Sequence, residues 1–421
     1  MRKIKGLRWY MIGLVTLGTV LGYLTRNTIA VAAPTLMSEL HITTQQYSYI
    51  IAAYSACYTL MQPVAGYVLD LLGTKVGYAV FAIMWAIFCA ATAMAGSWGG
   101  LALARGAVGA AEAAMIPAGL KASSEWFPAK ERSVAVGYFN VGSSIGAMLA
   151  PPIIYFAHAS FGWQGAFMFT GVLALLWVIL WWIFYHNPEQ HPNLSRDELA
   201  FIKQDNEPAP VRLPFLTALK TVSKNKRFYG IAIPAFMAEP AWAVLSFWVP
   251  LYLAKEHGMD LKQIAMFAWL PFLAADLGSV ASGYLTRLYT RWFGCTRVNS
   301  VVASSVTGAF LMISLAVVAV TRDPYITIVL ISIGGFGHQI ISCMLSALVV
   351  ESFDKGQMAT VNGMRGSAAW IASFLFSLLI GVTADKIGFN PLFIAMGFFD
   401  LIGAVFLVML VAERRQRPAN P

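Results

Sequence analysis

Arg26 is the single charged residue in the apolar run from Trp9 to Ser38. A run of this length spans a lipid bilayer, where a guanidinium is costly and normally faces a protein interior or an aqueous cavity. The planar guanidinium of an arginine can donate two parallel hydrogen bonds to the two oxygens of a carboxylate, which a lysine cannot do. Tyr23 lies three residues earlier on the same helical face and can bond the same ligand. Arg26 is therefore a candidate for binding an organic anion.

Arg105 and Glu112 are a second pair of ionisable residues within an apolar stretch. They are seven residues apart, which places them on nearly the same face of a helix, two turns from each other. Burial disfavours the charged form of a carboxyl, so Glu112 is a candidate for taking up and releasing a proton. The alternative is a structural pair that locks helices together.

Composition places these residues in a membrane protein. Hydrophobic residues make up 58% of the 421 and charged residues 12%, and apolar runs of spanning length recur along the chain. We predict an all-α membrane protein with twelve transmembrane helices. The first apolar stretch is too long for a removable signal peptide, and the four cysteines show no metal-ligand spacing, so we expect no bound metal.

The basic residues predict the topology. With both termini cytoplasmic, 22 of the 29 lysines and arginines fall on the cytoplasmic side, which is the side where membrane insertion retains them. Four fall on the other side, namely Lys255, Lys262, Arg322 and Lys386. This placement explains the net charge of +9 through contact with the lipid bilayer, so we expect no nucleic-acid partner.

The longest polar interval divides the chain into halves. We predict an N-terminal six-helix bundle over residues 1–186, a proline-rich cytoplasmic linker over 187–226, and a C-terminal six-helix bundle with a short tail over 227–421. The halves resemble each other weakly, with glycine-containing segments repeating at spacings of 217 and 224 residues. Two pseudo-symmetric bundles are the architecture of many secondary transporters.

The segment Gly66-x-x-x-Asp70-x-x-Gly73-x-Lys75 follows the second span and resembles the signature of the major facilitator superfamily. The resemblance implies that Asp70 and Lys75 tie neighbouring helix ends together on the cytoplasmic side and take part in gating. A solvated pair without a gating role is the alternative. The corresponding segment of the second half lacks the Asp, so we expect gating to be asymmetric.

Several longer stretches resemble the bacterial hexuronate transporters in the anion:cation symporter branch of that superfamily. They are Tyr23-Leu24-Thr25-Arg26-Asn27, Ala110-Ala111-Glu112-Ala113-Ala114-Met115-Ile116-Pro117-Ala118, Ser124-Glu125-Trp126-Phe127-Pro128 and Glu239-Pro240-Ala241-Trp242. The resemblance implies import of a hexuronate (D-glucuronate or D-galacturonate) with a proton, sodium being the less favoured cation. It also implies alternating access, the bacterial inner membrane, a monomer and no cofactor.

The resemblance assigns roles to individual residues. Arg26 and Tyr23 would bind the substrate, and Tyr58 and Asn362 would line the sugar-acid cavity. Asn140 can face the same cavity, while Trp242 offers a flat surface for the apolar face of a sugar. For these last four residues, packing or hydrogen bonding between helices is the alternative.

Glu112 is by resemblance the proton-coupling residue, with Arg105 influencing it. One position departs from the pattern, because galactonate-type relatives commonly have an Asp immediately before the first-span Arg, and here Thr25 stands there. Threonine cannot carry the proton, so either Glu112 works alone or another ionisable group contributes. His338, Asp276, Glu239 and Asp400 lie in or near spans and are open alternatives.

Other classes of function fit less well. The chain has neither a H-E-x-x-H segment nor a G-x-x-x-x-G-K-[ST] loop, so we expect neither an enzyme nor an ATP-driven pump. A carrier for another sugar acid, such as galactonate or glucarate, is one alternative. A sugar-acid sensor that binds without transport is another, since binding without flux leaves no mark in a sequence.

Overall fold

The structure is a computed structural model that describes residues 3–204, 215–353 and 358–413, and its regular elements in these ranges are helices. In the first part of the chain these are α1 (Leu7–Glu39), α2 (Thr44–Thr92), α3 (Trp98–Glu112), α4 (Met115–Trp126), α5 (Ala129–Phe184), α6 (Arg196–Ile202) and α7 (Phe215–Lys224). The second part contains α8 (Lys226–Phe247), α9 (Val249–His257), α10 (Leu261–Phe267), α11 (Leu270–Phe293), α12 (Arg297–Leu311), α13 (Ile313–Val318), α14 (Pro324–Ser352), α15 (Met358–Ile387) and α16 (Asn390–Val411).

Within the described ranges, ten helical segments are long and apolar enough to cross a membrane. Two of them, α2 and the apolar part of α5, have 49 and 51 residues. At 1.5 Å per residue such a helix is more than twice as long as a bilayer core of about 30 Å is thick. Each is broken near its middle by a glycine with positive φ, Gly73 at 76° and Gly162 at 71°. The ten segments therefore make twelve spans, which confirms the predicted all-α membrane fold.

The described residues fall into two compact units. The first draws on Met1–Pro208, Ser246–Trp269 and Ser377–Asp385, and the second on Ala209–Leu245, Leu270–Phe376 and Lys386–Pro421. The division into bundles over 1–186 and 227–421, with a linker over 187–226, stays a prediction from the sequence.

Glycines allow close helix packing in the first unit, and two of them lie beside the backbone of a neighbouring helix near the polar residues of α1 and α3. A Cβ on Gly109 of α3 would lie 2.4 Å from the carbonyl oxygen of Tyr54 on α2, and a Cβ on Gly146 of α5 would lie 2.3 Å from that of Val20 on α1. Such contacts let helix backbones approach directly in a membrane interior. They bring the last turn of α3 against α2 and the first half of α5 against α1.

The start of α2 carries a polar cluster that also belongs to the first unit. The Thr44 hydroxyl donates to Oδ1 of Asp385 at 2.5 Å, and Nζ of Lys255 lies 3.4 Å from the same oxygen. One turn further along α2, the Tyr47 hydroxyl donates to the carbonyl of Phe247 at 2.8 Å. These contacts attach the later segments of the unit to α2.

Glu198 anchors the beginning of α1. Its carboxylate accepts from the backbone N–H groups of Gly6 at 3.1 Å and Leu7 at 3.2 Å, and it pairs with Nη1 of Arg8 at 2.9 Å. The first N–H groups of a helix lack partners within the helix and favour a negative charge. The short helix α6, which carries Glu198, is thereby attached to the first span.

The second unit is built around α11, α12, α14 and α16. A Cβ on Gly278 of α11 would lie 2.3 Å from the carbonyl oxygen of Phe336 on α14, and one on Gly403 of α16 would meet Pro234 of α8 at 3.0 Å. Small residues therefore also allow close packing in this unit. Asp400 on α16 is buried, one turn before Gly403.

Candidate substrate and proton site

Arg26 and Glu112, predicted as separate binding and coupling residues, form one buried ion pair. Nε of Arg26 on α1 lies 3.3 Å from Oε2 of Glu112, the last residue of α3. Their side chains are 4% and 0% exposed, respectively. Removing one member of such a pair leaves the other charge uncompensated at a cost of about 3–5 kcal/mol. The cation and the carboxyl therefore influence each other directly.

Glu112 accepts further hydrogen bonds on both of its oxygens. The hydroxyl of Thr25 lies 2.9 Å from Oε1, and the Tyr54 hydroxyl donates to Oε2 at 2.6 Å. Oε2 thus has two donors, Tyr54 and Arg26, while Oε1 faces a hydroxyl. Both Thr25 and Tyr54 are fully buried, so these bonds form where water does not compete.

Thr25 connects Glu112 to two other groups. The indole Nε1 of Trp85 donates to the Thr25 hydroxyl oxygen at 2.9 Å, and the same hydroxyl lies 2.9 Å from the carbonyl oxygen of Gly22. The threonine that replaces an expected aspartate is therefore in direct contact with the predicted coupling residue.

Three tyrosine rings surround the Arg26 guanidinium. Its central carbon lies 4.3 Å from the ring centroid of Tyr23, 5.2 Å from that of Tyr58 and 5.6 Å from that of Tyr54. Cations interact favourably with aromatic rings at this range, and more strongly when both are desolvated. The structure therefore brings the sequence-predicted Tyr23 and Tyr58 to Arg26.

Arg105 binds the backbone beside Arg26. Its Nη1 donates to the carbonyl of Thr25 at 3.4 Å and its Nη2 to the carbonyl of Arg26 at 3.2 Å. The Arg105 guanidinium also lies 5.0 Å from the Tyr54 ring. Arg105 thus holds the segment of α1 that carries the site, and it adds a second positive charge to the cluster.

Local sequence explains how these side chains meet. Tyr54 and Tyr58 are one turn apart on α2 and therefore share a face. Gly109 lies three residues before Glu112 on α3 and allows close approach to Tyr54. The helix stops directly after Glu112 because Pro117 has no N–H to bond the carbonyl of Ala113 four residues earlier.

The other predicted site residues have surroundings of their own. Asn140 on α5 is exposed, and Asn362 on α15, in the second unit, is also exposed. Trp242, in the second unit, stacks on His338 with a centroid distance of 5.2 Å and an angle of 13°, and it meets Phe272 edge-on. One face of the Trp242 indole is therefore covered by a histidine ring.

The predicted gating residues have different partners. Asp70 pairs with Nζ of Lys121 on α4 at 2.8 Å, and Lys121 also donates to the carbonyl of Leu69 at 2.8 Å. Nζ of Lys75 lies 5.5 Å from the ring centroid of Trp182. The structure therefore pairs Asp70 with Lys121, a lysine 51 residues further along the chain.

Three residues that make these contacts, Tyr54, Trp85 and Lys121, were not among the site residues predicted from the sequence. Tyr54 carries a signal, since it lies one turn before Tyr58 on the same helical face. Trp85 and Lys121 carry none, because their contacts depend on how α2 packs against α1 and α4. Thr25 departs from the pattern of galactonate-type relatives in the sequence, and its contact with Glu112 is visible only in the structure.

Twelve apolar spans and a buried cluster of two arginines and one carboxylate define a multi-pass membrane transporter. The chain belongs to the Major Facilitator Superfamily, which it matches over residues 15–375. Membership of this transporter family confirms the expectation that the chain is not an enzyme.

Two bacterial relatives are similar over most of the chain. A hexuronate transporter of Escherichia coli (strain K12) is 58% identical over 97% of this chain and 94% of its own length. A galacturonate transporter of Dickeya chrysanthemi is 60% identical over 78% of this chain and 95% of its own.

Among solved structures, a bacterial homologue of the human lysosomal transporter Spinster, inward-facing and unoccupied, shares the fold. It has a TM-score of 0.71 and 16% identity, covering 97% of this chain and 96% of that one.

Proposed function

We propose that this protein imports hexuronates, D-glucuronate and D-galacturonate, together with protons. The observation that carries the proposal is the buried Arg26–Glu112 pair. In this pair a guanidinium that can bind the carboxylate of a sugar acid contacts a carboxyl group that can bind a proton. The names of the two relatives, at 58% and 60% identity, support this substrate class.

Arg26 binds the substrate carboxylate in this proposal. Its Nε donates to Glu112, so a substrate carboxylate binds at the terminal nitrogens Nη1 and Nη2 through a two-point hydrogen bond. Tyr23 and Tyr58, whose rings lie beside the guanidinium, donate to carboxylate or ring oxygens. Asn140, Asn362 and Trp242 are proposed as further contacts for hydroxyls and for the apolar face of the sugar.

Glu112 binds the proton, and the ion pair links proton binding to substrate binding. Protonation of Glu112 removes the counter-charge of Arg26, so the cluster of Arg26 and Arg105 attracts an anion more strongly. By thermodynamic linkage, a bound anion favours protonation by the same factor. Proton and hexuronate therefore load together.

Transport then proceeds by alternating access, as in transporters built from repeated bundles. The proposed gating residues on the cytoplasmic side are Asp70, with Lys121 as its partner, and Lys75. The distribution of lysines and arginines supports an orientation with both termini cytoplasmic, in a bacterial inner membrane. The proposed working unit is a monomer.

A transport assay tests this proposal. The purified protein is reconstituted into liposomes with an alkaline lumen, and initial uptake of labelled D-glucuronate is measured against competing galacturonate, galactonate and glucarate. We expect uptake that depends on the pH gradient and is inhibited most strongly by galacturonate. Stronger inhibition by galactonate or glucarate would assign a different sugar acid, and hexuronate binding without uptake would indicate a sensor.

A further inference from the structure

We propose that Thr25 is a positioning residue that reverses its hydrogen bond when Glu112 gains or loses a proton. The proposal rests on the proton-coupling role of Glu112 given above and identifies how this site exchanges its proton. Three atoms surround the Thr25 hydroxyl oxygen at 2.9 Å each, belonging to Glu112, Trp85 and Gly22.

A hydroxyl group offers one hydrogen and two lone pairs. Nε1 of Trp85 is only a donor, so it takes one lone pair of the Thr25 oxygen at all times. The single hydrogen can go either to Oε1 of Glu112 or to the carbonyl of Gly22. The three contacts at equal distance therefore permit two complete hydrogen-bond arrangements.

The two arrangements correspond to the two protonation states of Glu112. When Glu112 is ionised, Thr25 donates to Oε1, and the carbonyl of Gly22 keeps its helical hydrogen bond. When Oε1 carries a proton, Glu112 donates to the second lone pair of Thr25, and the Thr25 hydrogen rotates to Gly22. The incoming proton comes from the aqueous phase, and Thr25 keeps its own hydrogen throughout.

The partners of Oε2 determine which oxygen is protonated. Oε2 accepts from the Tyr54 hydroxyl at 2.6 Å and from Nε of Arg26 at 3.3 Å, and a guanidinium cannot accept a hydrogen bond. A proton on Oε2 would require the Tyr54 hydroxyl to stop donating to that oxygen and would weaken the bond from Arg26, whereas a proton on Oε1 is accepted by the Thr25 oxygen without disturbing either donor. The ionisable groups that face Glu112 or couple to it electrostatically are Arg26, Tyr54, Tyr58, Tyr78 and Cys89, with Arg105 two turns earlier on α3.

This arrangement avoids an unsatisfied buried group in both states. Leaving a buried donor or acceptor without a partner is costly, so a neighbour that could bond only one form of Glu112 would favour that form and slow the cycle. Thr25 is fully buried, so water does not replace it. Thr25 cannot carry the proton itself, but it provides a hydrogen-bond partner for Glu112 in both protonation states.

The test compares Thr25→Val, which keeps the shape and removes the hydroxyl, with Thr25→Ser, which keeps the hydroxyl. Thr28→Val is the matched control, because Thr28 is buried on the same helix and its hydroxyl bonds the carbonyl of Leu24 in its own helix. Proton-driven hexuronate uptake is measured across a pH series in proteoliposomes. Counterflow exchange, which needs no net proton release, is measured beside it.

We expect Thr25→Val to reduce proton-driven uptake about tenfold, because the proton then enters and leaves Oε1 without the hydroxyl that bonds both forms, while counterflow stays within about twofold of wild type. Both protonation states lose the same partner, so the pH of half-maximal uptake stays within about half a unit. Thr25→Ser and Thr28→Val should both transport like wild type.

Three results would overturn the inference. Parallel loss of uptake and counterflow in Thr25→Val would show a purely structural role. A rise of about one unit or more in the pH of half-maximal uptake would show that Thr25 serves only the ionised state. Unchanged uptake in Thr25→Val, where wild type is proton-driven, would show no role. If wild-type uptake does not respond to the pH gradient, the proposed function itself fails.

Discussion

Nε of Arg26 and Oε2 of Glu112 lie 3.3 Å apart inside the membrane-spanning part of the protein. The pair joins α1 to the end of α3. It places Arg26, which we propose binds the anionic substrate, in contact with Glu112, which we propose binds the proton. Coupling between the two ligands then requires no long-range signal, because binding at one residue changes the charge that the other experiences. This contact is the basis of the predictions that follow.

Arg26→Lys keeps the positive charge and removes the planar fork. We expect hexuronate affinity to fall about tenfold or more, because an ammonium offers a point charge instead of two parallel hydrogen bonds. Titration calorimetry on the purified protein measures the affinity. Arg322→Lys, at an exposed position, is the control and should bind like wild type. Equal affinity of the Arg26→Lys protein and wild type would exclude a two-point carboxylate contact.

Asp70→Asn removes the negative charge that forms an ion pair with Lys121. We expect a lower initial rate of uptake, by a few-fold, with substrate affinity unchanged, because the pair joins helix ends away from the substrate site. The exchanged pair Asp70→Lys with Lys121→Asp should recover part of the rate, since Lys121 also bonds a backbone carbonyl. Glu189→Gln, in the exposed pair with Lys203, is the control. An exchanged pair no faster than the single variant would argue against a gating tie.

Trp242→Ala removes the indole that stacks on His338. If Trp242 contacts the apolar face of the sugar, we expect hexuronate affinity to fall about three- to tenfold, with Trp242→Phe intermediate because it keeps an aromatic face. Trp292→Ala, at an exposed position, serves as the control. Unaltered binding by Trp242→Ala would restrict this tryptophan to packing in the second unit.

Glu198→Gln weakens the anchor at the start of α1. The carboxylate bonds two backbone N–H groups and Arg8, so losing its charge should destabilise the protein by about 1–2 kcal/mol and lower the midpoint of thermal unfolding. Uptake per folded molecule should stay at the wild-type level. Glu256→Gln, at an exposed position, is the comparison. A midpoint equal to that of wild type would show that the anchor adds no net stability.

Much of the fold could be predicted because span length and the placement of basic residues are properties of the sequence itself. The twelve spans were predicted, including the divisions of α2 and α5 that occur at Gly73 and Gly162. How the start of α2 attaches to other segments could not be predicted. The contacts of Thr44 with Asp385 and Lys255 join residues more than 200 positions apart in the chain.

Several residues of the candidate site could be predicted from the sequence, but the contacts between them could not. Arg26 and Glu112 stood out because each is an ionisable group in an apolar run. Their pairing depends on the depth at which α1 and α3 cross, which periodicity does not encode. Likewise, Asp70 was identified from its motif, but its partner Lys121 becomes apparent only when α4 is packed beside α2.

Proton uptake on binding tests the central claim most directly. Calorimetric titration of hexuronate in buffers of different ionisation enthalpy, near neutral pH, reports the number of protons bound with each substrate molecule. The account predicts net proton uptake by wild type and none by Glu112→Gln, with counterflow by that variant retained and its accumulation against a pH gradient lost. Equal proton uptake by wild type and Glu112→Gln would contradict the assignment of Glu112 as the coupling residue.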